Sequence, residues 1–418
     1  MKNAPLLPAL RILTRVLNLF IALALTVVFA QPARAQTESV IYNNFVTGSG
    51  VGGGPYTGLI ADSAGNLYGA AGSNMYNGAA YELIPSSGGI WTLKILHEFT
   101  VSDGVGASAG FTMDAAGNLY APDLYGGNGY GSIFELKPIS NGTWKVQILY
   151  KFVNNGTDGH YPGATLTMDA AGNLYGTTQE GGLKNVGVVF KLTPYAGGGG
   201  WNETILSSLP YKQKLWSTTN YPLTMDSAGN LYGVTNIGGA YDGGYVFKLS
   251  PTSKGPWTLT TLYSFGVYTG PGPAVPWSGV VFDSAGNLYG VTALGGTEGS
   301  GTVYQLSPSS GGGWTERDLV DFPSSCSPAC VPEAAITVDS AGNIFGTAAA
   351  TGSFGTAYEV SPNGDGTWTL TILHNFAGGT DGADPNSGAM LDISGKLYGT
   401  TREGGGTKGR GTVFEITP

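Results

Sequence analysis

The sequence predicts an all-β protein, a seven-bladed β-propeller of four-stranded antiparallel blades, and three observations predict it. First, Asp-x-x-Gly-x-(Leu/Ile)-(Tyr/Phe) occurs seven times, beginning at Asp62, Asp114, Asp169, Asp226, Asp283, Asp339 and Asp392, at steps of 52 to 57 residues. A period of that size marks an array whose units stack on one another. Second, each repeat divides into four short β-rich runs between turn signals, which is the makeup of a propeller blade. Third, the seventh repeat stops after its third run, at Gly411 to Pro418, while Ser39 to Phe45 matches the fourth-run pattern of Val146 to Phe152. The N-terminal segment is therefore expected to complete the last blade and close the ring, leaving no exposed sheet edge.

Ahead of the repeats, Lys2, Arg11 and Arg15 precede an uncharged run from Val16 to Ala30, followed by Ala33-Arg34-Ala35. This is the layout of a secretory signal peptide cleaved before Gln36. Residues 1–35 are read as a leader and 36–418 as one propeller domain. The mature chain is expected to be exported, to the periplasm, the cell surface or the surroundings. The apolar run has 15 residues, short of the roughly 20 that a spanning helix needs, and no later segment is expected to span a bilayer.

The 418 residues include 70 glycines, and only 11% are charged. That is a turn-rich composition, too apolar for disorder. The net charge is −9, and without the leader 15 basic residues face 28 acidic ones, a net charge of −13. Nucleic acid is not an expected partner, since phosphate binding needs clustered Lys and Arg. The short groups Lys212 with Lys214, and Arg402 with Lys408 and Arg410, have acidic or neutral neighbours and are read as solvated loop charges.

Within a repeat, as at Leu166 to Leu209, the Asp leads a turn that ends in Gly. Asp at the first position bonds the turn amides, and Gly takes the positive φ that other residues resist. The Asp is thus structural, and one carboxylate per repeat is too few for an EF-hand-like calcium loop. Trp91, Trp144, Trp201, Trp257, Trp314 and Trp368 each open a fourth run and are followed eight residues later by Phe or Leu, a packing pattern. His97 and His374 sit two residues before that Phe, where other repeats have Tyr150 and Tyr263, so they are repeat-position residues too.

Cys326 and Cys330, an even pair in a chain read as exported, suggest a disulfide closing a five-residue loop, with a redox pair as the alternative. With three histidines so distributed no His/Cys/carboxylate metal constellation is expected. No cofactor is expected either.

The order of motifs resembles the GloVer tandem repeats of exported bacterial proteins of the choice-of-anchor type. The match is closest at Thr157-Asp158-Gly159 through Phe190 and at Thr380-Asp381-Gly382 through Phe414, and it extends over residues 37 to 418. The resemblance implies an exported or surface location and no established activity. Gly238-Gly239, Phe247 and Trp257 also resemble the order seen in kelch blades, which bears on the fold only.

Candidate site residues are the departures from the repeat on loops carried by the rigid scaffold. The connections between second and third strands and those between blades fall on one face of the disc, and the Asp-x-x-Gly turns on the other. Trp216 and Trp277 are the two tryptophans out of repeat phase, and Tyr125, Tyr161, Tyr221, Tyr241 and Tyr268 are expected in loops of the same face. With Asp103, Asp158, Glu180, Glu298, Asp381 and Glu403 as polar contributors, such a face suits carbohydrate. The competing reading is that the aromatics cover blade junctions and the carboxylates cap turns. The leading expectation is a non-enzymatic, monomeric binding module for a glycan or a surface partner. The alternative is a polysaccharide lyase or an ester or lactone hydrolase, with His160 as general base or acid beside Asp158.

Overall fold

The computed structural model describes residues 37–417 apart from 44, 46–52, 75–76, 101–102, 104–105, 141, 211–220, 254, 267–271, 324–330, 350–353, 386 and 407–408. The predicted leader, Trp216, Tyr268, Cys326 and Cys330 lie outside the described residues. Thr37–Thr417 forms one compact unit, and among the described residues no helix is long and apolar enough to cross a membrane.

Seven antiparallel blades make up this unit, as the repeat predicts. Blade 3 shows the pattern, with strands Thr167–Met168, Leu174–Thr177, Val188–Pro194 and Trp201–Ser208 in sequence order from the inside out. Blade 5 differs by one short additional strand, Ala274–Pro276, paired with Leu288–Leu294. In blade 7 the chain supplies Met390–Leu391, Leu397–Thr401 and Thr412–Thr417, and the fourth place is taken by Thr37–Tyr42. The register sets Glu38 opposite Ile416 and Val40 opposite Phe414, so the N-terminal strand closes the ring as expected.

The core lies between blades, because a four-stranded sheet must bury both its faces. Seven apolar clusters occupy the seams, one of them uniting Phe45, just after the closing strand, with Tyr81 of blade 1. At each aromatic seam the Phe that ends a fourth strand meets an aromatic ring on the third strand of the next blade. Phe152 and Phe190 are 5.2 Å apart between ring centres, Phe265 and Tyr304 5.0 Å, Phe376 and Phe414 5.0 Å, and Phe45 and Tyr81 5.5 Å. The fourth-strand tryptophans reach the other way, onto the second-strand Tyr of the blade before: Trp201 on Tyr120, Trp314 on Tyr232, and Trp91 on Tyr398 across the closure. These contacts, with rings inclined by 59° to 71°, are edge-to-face or tilted, in line with the favoured aromatic geometry.

The repeated Asp has the turn role its sequence position predicts. In blade 4, Asp226 Oδ1 accepts the N–H groups of Ala228 and Asn230, while Oδ2 accepts the Asn230 amide at 2.7 Å and the Tyr232 hydroxyl at 3.0 Å. Gly229 sits at φ +77° and closes the turn onto Asp226 O. Burial raises the carboxyl, but these four donors outweigh it and hold Asp226 below the ordinary range, as they do Asp62, Asp114, Asp169 and Asp283. Asp226→Ala is expected to cost about 2 kcal/mol in denaturant unfolding, because it leaves the Asn230 and Tyr232 donors unpaired. Asp365→Ala, on an exposed hairpin, should leave the midpoint unchanged, and equal midpoints for the two variants would contradict the turn role.

Candidate functional site

The described residues include a cavity of about 480 Å³ on the loop-rich face, where blade 1 stands between blades 7 and 2. Blade 1 and the connections flanking it contribute mainly backbone: Gly53, Gly54, Gly72, Gly106 and Ala107 line the cavity, with Tyr56 as the large side chain. A Cβ on Gly54 would stand 1.5 Å from the Arg410 carbonyl oxygen, so the neighbouring loop closes onto that glycine. The hydroxyl of Tyr56 donates to Ala107 O, and Ser108 Oγ to Pro122 O at 3.0 Å, which ties the walls together. Blade 2 adds Asp123, and blade 7 adds Arg402, Glu403 and Arg410.

Asp123 occupies a repeat position held elsewhere by Ala71, Thr178, Thr235, Thr292, Ala348 and Thr401. Threonine fits there because its hydroxyl satisfies two backbone groups at once. Thr178 Oγ1 donates to Glu180 O at 2.8 Å and accepts from Val188 N–H at 3.1 Å, and Thr401 does the same with Glu403 O and Thr412 N–H, both at 3.0 Å. Asp123 instead turns Oδ1 to the Tyr125 N–H at 3.1 Å. Its residue is only 2% exposed, and Oδ2 is buried with no hydrogen-bond partner. Ser132, directly across the strand pair, is fully buried with its hydroxyl unpartnered as well. Burial pushes the Asp123 carboxyl up to about 6, against the pull of the Tyr125, Gly126 and Gly106 N–H groups. Burial, and then the charge of Asp123, raise Tyr56 far above the ordinary phenol range.

Two buried polar atoms left unpaired cost stability, on the order of 1–3 kcal/mol each. The repeat shows how the position would be satisfied, and blade 2 departs from it inside the cavity. Arg402 departs likewise. It is the one basic residue among Gly72, Leu124, Gln179, Asn236, Ala293, Ala349 and Arg402 at the next position. Its Nε binds Asp384 Oδ2 at 2.8 Å, and Nη2 lies 3.9 Å from Glu403 Oε1.

The residues singled out from sequence separate into groups. Tyr125, Tyr161 and His160 lie together, outside the cavity lining: the Tyr125 and Tyr161 rings are 5.6 Å apart, and His160 is 4.9 Å from Tyr130 and 6.1 Å from Tyr161. Glu180 pairs with His160 across a two-stranded ladder, Gly159–His160 with Glu180–Gly181. His160 is 5% exposed, and its Nε2 is buried and unpartnered. Asp158 does not orient it. The Asp158 carboxylate accepts the Tyr150 hydroxyl and the Val153 and Gly159 N–H groups.

Asp103 and Asp381 hold the same connector position, each binding a backbone N–H (Thr100 and Ala377) and the histidine of the fourth strand (His97 and His374). Desolvation opposes these bonds at Asp103, but they prevail and hold its carboxyl low. Trp277 and Tyr241 are exposed on blades 5 and 4, Tyr221 is half-buried at the entry to blade 4, and Glu298 is exposed on a blade 5 loop. Glu403 is the one sequence candidate that lines the cavity. Asp123 escaped the sequence reading and Arg402 was read there as a solvated loop charge, whereas it is ion-paired to Asp384 in the cavity wall; each is legible as a charged residue at a position where the other repeats carry none.

The family model of the Gloeobacter/Verrucomicrobia repeat matches residues 26–213 and 218–418. No curated protein matches the chain. Among solved structures it is similar to a periplasmic gluconolactonase of Pseudomonas aeruginosa, at 14% identity over 88% of this chain and 98% of that one, with a TM-score of 0.48. It is also similar to a gluconolactonase of Xanthomonas campestris, at 12% identity over 91% and 89%, with a TM-score of 0.41. At these identities no activity passes from them to this chain.

Proposed function

The chain belongs to the Gloeobacter/Verrucomicrobia repeat family, and we propose that it is an exported binding module that takes a glycan in the cavity between blades 7, 1 and 2. The observation that carries this reading is the buried, unpartnered oxygen of Asp123 in the wall of a sugar-sized cavity. Pockets of this size, with a few convergent polar groups on a rigid frame, are the usual form of a small-ligand site. A sugar hydroxyl would supply the missing partner, and Tyr125, the chain neighbour of the cavity-lining Leu124, with Tyr161 against it, would offer an apolar face to a further sugar unit.

The test is Asp123→Thr, which restores the repeat residue. Glycan affinity, read on an array and then by calorimetry, is expected to fall at least tenfold while the melting temperature rises. Unchanged affinity would remove the cavity from the binding reading. A second reading, a hydrolase or lyase, draws on one observation: a carboxyl titrating near 6 is poised for general acid work. Release of reducing sugar or unsaturated product in the same wells, lost in Asp123→Asn, would favour it. His160→Ala tests the other candidate acid or base, and is expected to leave turnover unchanged because Asp158 is committed elsewhere.

A further inference from the structure

We propose that the ligand is an anionic sugar, a uronic acid unit, with its carboxylate on Arg402 and a hydroxyl group on Asp123. This rests on the reading of the cavity as a glycan site and names the class of sugar. The two residues that break the repeat in the cavity walls carry opposite charges and come from blades on either side of blade 1. A neutral sugar could hydrogen-bond to both Asp123 and Arg402 but would leave the charge of the arginine unmatched. Arg402 is held through Nε by Asp384, and the 3.9 Å approach of Glu403 to Nη2 is too long for a hydrogen bond. The terminal nitrogens of the guanidinium thus keep their fork for a planar carboxylate, the geometry in which arginine binds acids in two parallel bonds. Arg410 lines the same cavity and adds positive charge.

The setting matters because the whole chain is acidic, at a net charge of −9. An anion is not drawn in by the long-range field, so recognition must come from local cations. Arg402 and Arg410 are the basic residues among those that line the cavity, which also include the acidic Asp123 and Glu403. Asp123 has the property needed beside a bound carboxylate, since below pH 6 it is protonated and donates a hydrogen bond instead of repelling the ligand. Affinity for a uronate is therefore expected to rise as pH falls from 7.5 to 5.5, and Asp123→Asn should remove that rise.

The experiment is calorimetry on the full chain with a galacturonate trimer, free galacturonate and a neutral galactose trimer. The acidic trimer is expected to bind more tightly than the neutral one, and Arg402→Gln to lower its affinity at least tenfold while leaving the neutral probe unaffected. Arg402→Lys should fail to restore it, because a point charge lacks the fork. Free galacturonate binding as tightly as the trimer would assign the site to a free acid or a chain end, and weaker binding would assign it to the polymer, both within the proposal. Equal binding of acidic and neutral trimers, with Arg402→Gln silent, overturns the anionic class and leaves the glycan reading standing. Binding of none of the probes, in a chain shown to be folded by circular dichroism, overturns the anionic class, and silence on a full glycan array overturns the glycan reading with it. Arg410→Gln is the second variant, and its expected loss is also confined to the acidic probes.

Discussion

Removing residues 37–45 is expected to break the closed propeller. The segment supplies the fourth strand of blade 7, and its loss uncovers the whole hydrogen-bonding edge of Thr412–Thr417. It also withdraws Phe45, 1% exposed and packed on Tyr81, from the seam between blades 7 and 1. An uncovered strand edge pairs with whatever strand is available, so the truncated chain should run as oligomers or aggregate in size-exclusion chromatography. A synthetic Thr37–Phe45 peptide should recover some of the parent elution profile. A milder variant separates edge pairing from core loss: Phe45→Ala keeps every backbone bond and is expected to cost about 3–5 kcal/mol. A truncated chain that stays monomeric with an unchanged melting temperature would show that closure is not structural.

Almost everything that makes the ring was legible in the sequence, because each blade solves the same problem with the same residues. The Asp turn, the fourth-strand Trp and Phe, and the match of Ser39–Phe45 to a fourth strand are local signals repeated around the ring, and repetition converts a weak propensity into a firm reading. The site was far less legible. Asp123 and Arg402 are 279 residues apart in number, and only ring closure, which seats blade 7 against blade 1, brings their loops to one cavity. The aromatic criterion picked out Tyr125 and Tyr161, which pack on each other, but also Tyr241 and Trp277 on other blades, because an exposed ring on a loop carries no information about which neighbouring loop it meets. The carboxylates Asp103, Asp158 and Asp381 show the converse. They recur in phase with Gly, and their oxygens are spent on the N–H groups of the connectors.

The same comparison among blades predicts an acid-shifted stability profile. At one position of the fourth strand, blades 3, 5 and 7 carry Glu203, Glu316 and Glu38, where blades 1, 2, 4 and 6 carry Leu93, Val146, Leu259 and Leu370. All three glutamates have a buried oxygen without a partner. Burial, and then the nearby Asp158, push Glu203 up to about 7; burial and Asp318 raise Glu316, while burial raises Glu38 against the opposing pull of His374. Asp123 joins them at about 6.

A raised carboxyl pKa means that the folded state holds its proton more tightly than the unfolded chain. The stability it contributes is full below about pH 4 and is lost as pH rises through 6 and 7. The turn aspartates act with the opposite sign: their lowered pKa values add stability above about pH 4 that is lost on acidification below it. The melting temperature is therefore expected to peak between about pH 4 and 5 and to decline toward pH 8.

Glu203→Leu, which installs the residue type of the apolar blades, should raise the melting temperature at pH 8, leave it nearly unchanged at pH 4, and flatten the slope between them. Glu203→Gln should flatten the slope without the gain in packing. A melting temperature that climbs steadily from pH 4 to 8 in the parent chain, or a Glu203→Leu variant with an undiminished slope, would show that the seam glutamates are solvated and unshifted. Otherwise the alkaline decline measures the charge that these three seams bury.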